Sequence, residues 1–260
     1  MNFFQAIFLG LVQALTEYLP VSSSAHIRII GDLMLGSDPG AAFTAIIQIG
    51  TELAVILYFR HDIIRILGAW FGSLFGKEGK DFKRLDKPVA PDAPAGKVDV
   101  IEFFWYSCPH CHAFEPTLDA WVKAAPKDLS IRRVPVAFNA SFVPQQKLYY
   151  ALEGMGKLDA VHAKVFRAIH VEKLKLAKDD DIFAWVGNQG VDVAKFKEVY
   201  NSFTVNNQAR RAAQLQGEYG VEGVPSMGVA GRYYTDGTMA GSMQTVLQVV
   251  DYLVGQTRKA

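Results

Sequence analysis

The sequence predicts an α/β protein in two unlike parts, an all-α membrane-embedded segment followed by a sheet with a helical insertion. Three observations lead there. The first 76 of 260 residues carry eight charged side chains (Glu17, Arg28, Asp32, Asp38, Glu52, Arg60, Asp62 and Arg65; net −2), whereas the remaining 184 carry 45, net +3. The sparse part suits lipid and the denser part suits water. The later part alternates short apolar runs with helical patterns, as layered α/β domains do. Both cysteines sit in one tetrapeptide, Cys108-Pro109-His110-Cys111, between a strand pattern and a helix pattern. Composition closes off other classes. A 50% hydrophobic chain can bury a core, and a net charge of +1 is too balanced for a nucleic-acid binder. Two cysteines exclude a disulfide-dense scaffold and a four-thiolate metal site.

At the front, Met1–Leu19 holds one charge, Glu17, and Gly40–Phe59 holds one, Glu52. Each runs about twenty residues, the length of a bilayer-crossing helix. A pair of buried helices in a soluble protein is the alternative, but no polar stripe breaks either segment. No basic flank precedes the first and no small-residue cleavage site follows it, unlike a cleavable signal peptide. Ile63–Phe75 is shorter and reads as interfacial. Residues 77–97 then turn polar, with Lys77, Lys80, Lys83, Arg84 and Lys87. Pro88, Pro91 and Pro94 prevent a continuous helix there, so this is a linker, in which Phe82–Leu85 could form a short edge strand.

Residues 98–260 form the second domain. Val98–Tyr106 is an apolar run interrupted only by Asp99 and Glu102, the pattern of a buried strand. A helix starts at Pro109, since proline suits the first helical position. Leu129–Phe138 reads as a second strand, and residues 144–217 as a helical block. Val224–Val229 and Arg232–Thr235 read as a hairpin around Ala230-Gly231, and Thr245–Val254 as a closing helix.

The cysteine pair has a chemistry set by its place. Cys108 stands where unpaired backbone N–H groups and the positive end of a helix dipole favour a thiolate. A protonated His110 adds a second favourable charge. Cys108 is therefore the expected nucleophile or leaving group, and Cys111, one turn on and less exposed, the resolving thiol. Metal binding by Cys108, Cys111 and His112 is one alternative and an inert buried pair is another. No further Cys–Cys or His–His pair has ligand spacing, and His162 and His170 read as surface or satisfied helical histidines, so no metal is expected. Glu102 is a carboxylate in an apolar strand, which is costly without a partner or a task. Beneath the helix it can take or relay protons as Cys111 changes state; alternatively it reaches solvent from the strand end. Val224-Pro225, after Gly223, suggests a cis peptide whose backbone could hold an incoming chain against Cys108, with an ordinary trans turn as the alternative.

VIEFFWYSCPHCHAFEP, RRVPVAFN, GVEGVPSMGV and YTDGTMAGSM resemble the DsbA family of bacterial periplasmic thiol oxidases, from about Lys80 to Ala260. The resemblance implies a thioredoxin fold with the helical domain inserted at about residues 144–217. It implies that the Cys108–Cys111 disulfide passes to unfolded or reduced secreted proteins without any other cofactor. It also implies that Cys108 is attacked, that Cys111 resolves, that Pro225 is cis, and that a membrane quinone-linked partner of the DsbB type re-oxidises the pair.

LVQALTEYLPVSSSAHIRI and DPGAAFTAIIQIGTELAVILYFR resemble the opening of the undecaprenyl-pyrophosphate phosphatases, integral membrane enzymes, over residues 1–76. Gln13 and Glu17, four apart, share a helix face. Pro20 ends that helix, and Ser22, Ser23, Ser24 and His26 follow, a hydroxyl-and-imidazole cluster suited to a pyrophosphate. Polar side chains that pack membrane helices together are the alternative. That family also carries a PGxSRSxxT motif, which this sequence lacks, so phosphatase activity is not expected. The chain reads as a chimera joined near Gly76–Asp81. A membrane-tethered thiol:disulfide oxidoreductase is the first reading; a truncated, inactive phosphatase fragment anchoring a passenger is the second. Disulfide donation requires the periplasmic side of an inner membrane. The basic residues after Phe59 favour a cytoplasmic flank, which leaves the orientation open.

Overall fold

The computed structural model describes residues 2–17, 23–36, 38, 40–64, 67 and 77–258, and the chain divides into two compact units, Met1–Gly68 and Ala69–Ala260. Among the described residues, the first unit contains α1 (Phe3–Glu17), α2 (Ser23–Leu35) and α3 (Ala41–Tyr58), with further helical residues at 60–64. α1 packs against both others, and Leu9 and Ile27 are fully buried between the helices. Most of the remaining large apolar side chains face outward, with Phe4 79% and Leu33 81% exposed. That distribution suits hydrocarbon rather than water.

Two bilayer-length helices were expected at the front. α3, with 18 residues, is the one helix among the described residues long and apolar enough to cross a membrane. α1 has 15 residues, about 22 Å at 1.5 Å per residue, against a hydrocarbon core of about 30 Å. The apolar run extends to Leu19, and residues 18–22 lie outside the described residues. The shorter segment Ile63–Phe75 lies almost wholly outside the described residues.

The second unit is centred on a five-stranded sheet in the order β1-β5-β4-β2-β3. These strands are β1 (Lys83–Arg84), β2 (Val98–Phe104), β3 (Leu129–Pro135), β4 (Ser226–Val229) and β5 (Tyr233–Asp236). β2 and β3 run parallel, joined through helix α4 (Pro109–Ala124); the other pairings are antiparallel. β2 is covered on both faces, which is why its sequence is a nearly continuous apolar run. On one face Val100 joins Phe114 and Leu118 of α4, with Val246 and Val250 of the closing helix α11 (Met243–Thr257). On the other face Ile101 and Phe103 join the core of the helical insertion.

That insertion comprises α5 (Val143–Gly154), α6 (Leu158–His170), α7 (Asp179–Gly187), α8 (Val193–Tyr200) and α9 (Phe203–Glu218). Side-chain caps fix two of its starts: Asp192 accepts from Lys195 N at 3.1 Å, and Ser202 from Val205 N at 3.2 Å. The short helix α10 (Gly237–Ala240) follows β5, its first turn capped by Asp236. The β4–β5 turn has positive φ at Ala230 (52°) and Gly231 (66°), the geometry that matches strand twist. A Cβ at Gly231 would collide with the Val89 carbonyl.

The polar segment before β2 is bound to the sheet. Lys83 and Arg84 pair with Tyr234 and Tyr233, Leu85 N donates to Arg232 O at 2.8 Å, and Val89 N donates to Gly231 O at 2.7 Å. Phe82 is buried against Tyr233 and Tyr252.

Candidate functional site

The end of β2 and the start of α4 deliver the cysteine pair. Cys108 is the N-cap residue, in extended conformation, and Pro109 takes the first helical position, where its missing N–H costs nothing. His112 N donates to Cys108 O at 3.1 Å, closing the first turn. Cys108 is buried save for one edge, His110 is exposed, and Cys111 is fully enclosed. Facing Cys108 is the Val224-Pro225 peptide, which is cis, with the Val224 carbonyl oxygen 3.4 Å from Cys108 Sγ. A cavity of about 350 Å³ opens beside them, lined by His110, Val224, Pro225, Asp236, Thr238 and Met243 among others.

The two thiols are driven apart in acidity. A hydrogen bond from the Cys111 thiol holds the Cys108 thiol well below the usual range, at about 6, against the opposing effect of burial. The backbone N–H groups of Cys111 and His110 and the charge of His110 add to the lowering. Burial pushes Cys111 far up, and its role as donor to Cys108 adds to that.

Glu102 does not reach solvent. It is 1% exposed on β2, and its Oε2 accepts from Arg133 Nε at 3.1 Å, a partner opposite it in the β2–β3 register. Burial and then the Glu115 charge push its carboxyl up to about 8, with Arg133 opposing. Arg133 Nη2 also donates to Glu115 and Asp119, each at 2.7 Å. Glu115 continues to His162, and His162 to the Tyr106 hydroxyl, each at 2.8 Å.

Arg133, Glu115, Asp119 and Tyr106 carried no functional reading from sequence, and His162 was expected only as a surface or satisfied helical histidine. One signal was available: His162 lies in phase with the buried stripe Val161, Val165 and Phe166 of α6. It is a buried, doubly bonded histidine. His170 Nε2 meets the Tyr106 carbonyl at 2.8 Å, and its ring stacks on His112 with centroids 4.8 Å apart. Among the described residues no group of three His, Cys, Asp or Glu side chains is placed to hold a metal ion.

The phosphatase-like positions fall on the other unit. Gln13 is buried on α1 and His26 half-buried on α2, two helices that pack together. Glu17, Ser23 and Ser24 lie in those helices but their side chains are outside the described residues, as is Ser22 altogether.

A thioredoxin-type sheet, a Cys-Pro-His-Cys helix start and a cis-proline facing it define a dithiol–disulfide exchange protein with a helical insertion. A DSBA-like thioredoxin domain matches residues 99–251, and the chain belongs to the DsbA family of thiol:disulfide oxidoreductases. It is 43% identical to the thiol:disulfide interchange protein DsbA of Burkholderia cepacia over 180 residues, covering 69% of this chain and 85% of that one. A crystal structure of a variant of Pseudomonas aeruginosa DsbA superimposes with a TM-score of 0.69 at 39% identity, covering 71% of this chain and 99% of the other. The front matches another family, the bacitracin resistance protein BacA, over residues 6–89. There the chain is 88% identical to the undecaprenyl-diphosphatase of Bifidobacterium longum subsp. infantis over 83 residues, which is 32% of this chain and 28% of that protein.

Proposed function

We propose that the pair Cys108–Cys111 carries the exchange as a disulfide donated to reduced or unfolded secreted proteins. A substrate thiolate attacks Cys108 Sγ, the Cys108–Cys111 bond breaks, and Cys111 leaves and takes a proton. A second substrate thiolate then attacks the substrate sulfur of the mixed disulfide, and Cys108 departs as a thiolate. Substrate sulfurs lose two electrons and the cysteine pair gains them. Cys108 leaves readily because its thiolate is stabilised, and that stabilisation makes the disulfide oxidising. Cys111 holds its proton because it is buried, and Glu102 is the group that supplies and recovers that proton. His110 and Pro109 shape the helix start around Cys108, and the Val224-Pro225 backbone offers an edge on which a substrate strand can lie. The single observation that carries this reading is the Cys108 thiol at a helix start, its pKa held low by the Cys111 thiol and its sulfur set against the Val224 carbonyl.

The first unit serves as the membrane tether, with α3 as the crossing helix and the junction near Gly76–Asp81. The redox unit then works on the periplasmic side of an inner membrane, and a quinone-linked membrane protein of the DsbB type re-oxidises it. Gln13, Glu17, Ser22, Ser23, Ser24 and His26 are vestiges of a phosphatase site without activity here; hydrolysis of a lipid pyrophosphate by the purified chain would overturn that assignment.

The reading is tested by equilibrating the full chain, in detergent, with glutathione while following the thiolate of Cys108 by ultraviolet absorbance. A thiolate that persists near pH 6 and a disulfide that glutathione reduces easily support disulfide donation. An ordinary thiol titration near 8.5 with a disulfide resistant to glutathione would mean a structural pair.

A further inference from the structure

The ion cluster beneath α4 contains a base that the exchange steps above leave unused. Glu102 of β2, Arg133 of β3, Glu115 and Asp119 of α4, and His162 of α6 form one connected group, with Tyr106 at its far end. His162 is 6% exposed, walled by the rings of Phe104, Tyr149 and Phe166. His170 faces the carbonyl of Tyr106 and takes no part in the cluster. The Asp119 side chain is 49% exposed, so water meets its charge.

Inside the cluster, then, two buried carboxylates share one guanidinium. With both ionised, one negative charge is left uncompensated in an apolar setting, which is costly. One proton removes the imbalance, and there are two places for it. It can sit on Glu102, or on His162, whose two ring nitrogens then donate to Glu115 and to the Tyr106 hydroxyl. Arg133 keeps its protons at all accessible pH, so none passes through it; Glu102 and His162 are linked by charge alone.

We propose that His162 is a positioning residue for the exchange: by taking up or releasing a proton against Glu115 it decides, through Arg133, how readily Glu102 becomes a carboxylate when Cys111 changes state. This rests on the exchange reading above. On disulfide donation Cys111 leaves Cys108 and takes the proton of Glu102, and His162 accepts one proton from solvent that offsets the new buried charge. On re-oxidation Cys111 returns its proton to Glu102 and His162 releases the other. Electrons move only between sulfurs.

The test uses the full chain in detergent and the mixed disulfide that Cys108 forms with oxidised glutathione, following glutathione release by Cys111 as a function of pH. In the unaltered chain release should rise through the titration of Glu102. His162→Gln, which keeps a hydrogen-bonding side chain but cannot carry the proton, should move that midpoint upward by about half a pH unit or more. Glu102→Gln should remove the inflection, and adding His162→Gln to Glu102→Gln should change nothing further, because the charge it answers is gone. An equal loss of rate from His162→Gln in both backgrounds would reduce His162 to packing and overturn the proposal. So would an unshifted midpoint in His162→Gln while Glu102→Gln still abolishes the inflection. If His162→Gln does not fold, Tyr106→Phe, which removes the partner of Nδ1, should shift the midpoint in the same direction by less; no shift overturns the proposal. No glutathione release at any pH in the unaltered chain would instead defeat the exchange reading itself.

Discussion

The two units spend similar side chains in opposite ways. In the first, leucine, isoleucine and phenylalanine point outward from three helices, and the few fully enclosed groups include the polar Gln13. In the second, the aromatic and aliphatic residues fill both faces of a sheet, and the enclosed polar groups include a charged cluster under the cysteines. The contrast teaches that burial alone does not distinguish a core. What surrounds a unit decides which face of a helix is its inside: the apolar faces that α1 and α3 expose are ones that hydrocarbon would tolerate and that the redox unit hides.

The sharpest way to separate the units is through the cysteines. Cys108→Ser should abolish exchange altogether and leave membrane partition unchanged, as read by thiol-exchange kinetics and flotation with vesicles. Cys111→Ser should accumulate mixed disulfides on a non-reducing gel, because the group that resolves them is gone; a clean gel would sink the assigned roles.

Next in size is the buried ion cluster. Arg133→Met strands Glu102 and Glu115 without their cation and should cost about 3–5 kcal/mol in denaturant unfolding of the redox unit. A change within experimental scatter would mean that water already reaches those carboxylates.

On the other side of the comparison, Ile49→Arg places a charge midway along α3, on a side chain 57% exposed. Insertion should weaken by about 3 kcal/mol, or roughly a hundredfold, with exchange kinetics intact. Unaltered partition would show that α3 does not cross the bilayer.

A further difference between the units is a pH dependence confined to the reduced state of the redox unit. The Cys108 pKa is depressed on folding, so its stabilising contribution is full above the titration of an unfolded thiol, near 9, and is lost as pH falls through about 6. The oxidised protein has no such titration. The stability of the reduced form relative to the oxidised form should therefore climb between about pH 6 and 9 in parallel melts; a flat difference would contradict the lowered pKa of Cys108.

Much of the second unit was legible in the sequence because its signals are local. The apolar run at 98–106, Pro109 at a helix start and the Ala230-Gly231 turn each report on their own neighbourhood. The ion cluster was not legible because its members stand far apart in sequence, His162 from Glu115 by 47 positions and Arg133 from Glu102 by 31. Only the parallel register of β2 and β3 sets Arg133 opposite Glu102, and register leaves no mark in composition. At the front, hydropathy marks apolar segments but does not count helix turns; the described part of α1 has 15 residues, with residues 18–22 outside the described residues. In the polar stretch before β2 the prolines excluded a helix but left extended backbone free to pair, and the edge strand expected at Phe82–Leu85 is found at Lys83–Arg84.

That pairing sets where mechanical load enters. Thr235 Oγ1 donates to Asp81 O at 2.7 Å, and Leu85 and Val89 fasten the same stretch to the hairpin turn. That stretch sits at the sheet's margin, with β5 and β4 standing between it and β2, the strand that leads to the cysteines. A force applied to residues 77–82 would therefore meet an edge strand before the strand that carries the two sulfurs, much as a cable is anchored before its terminals.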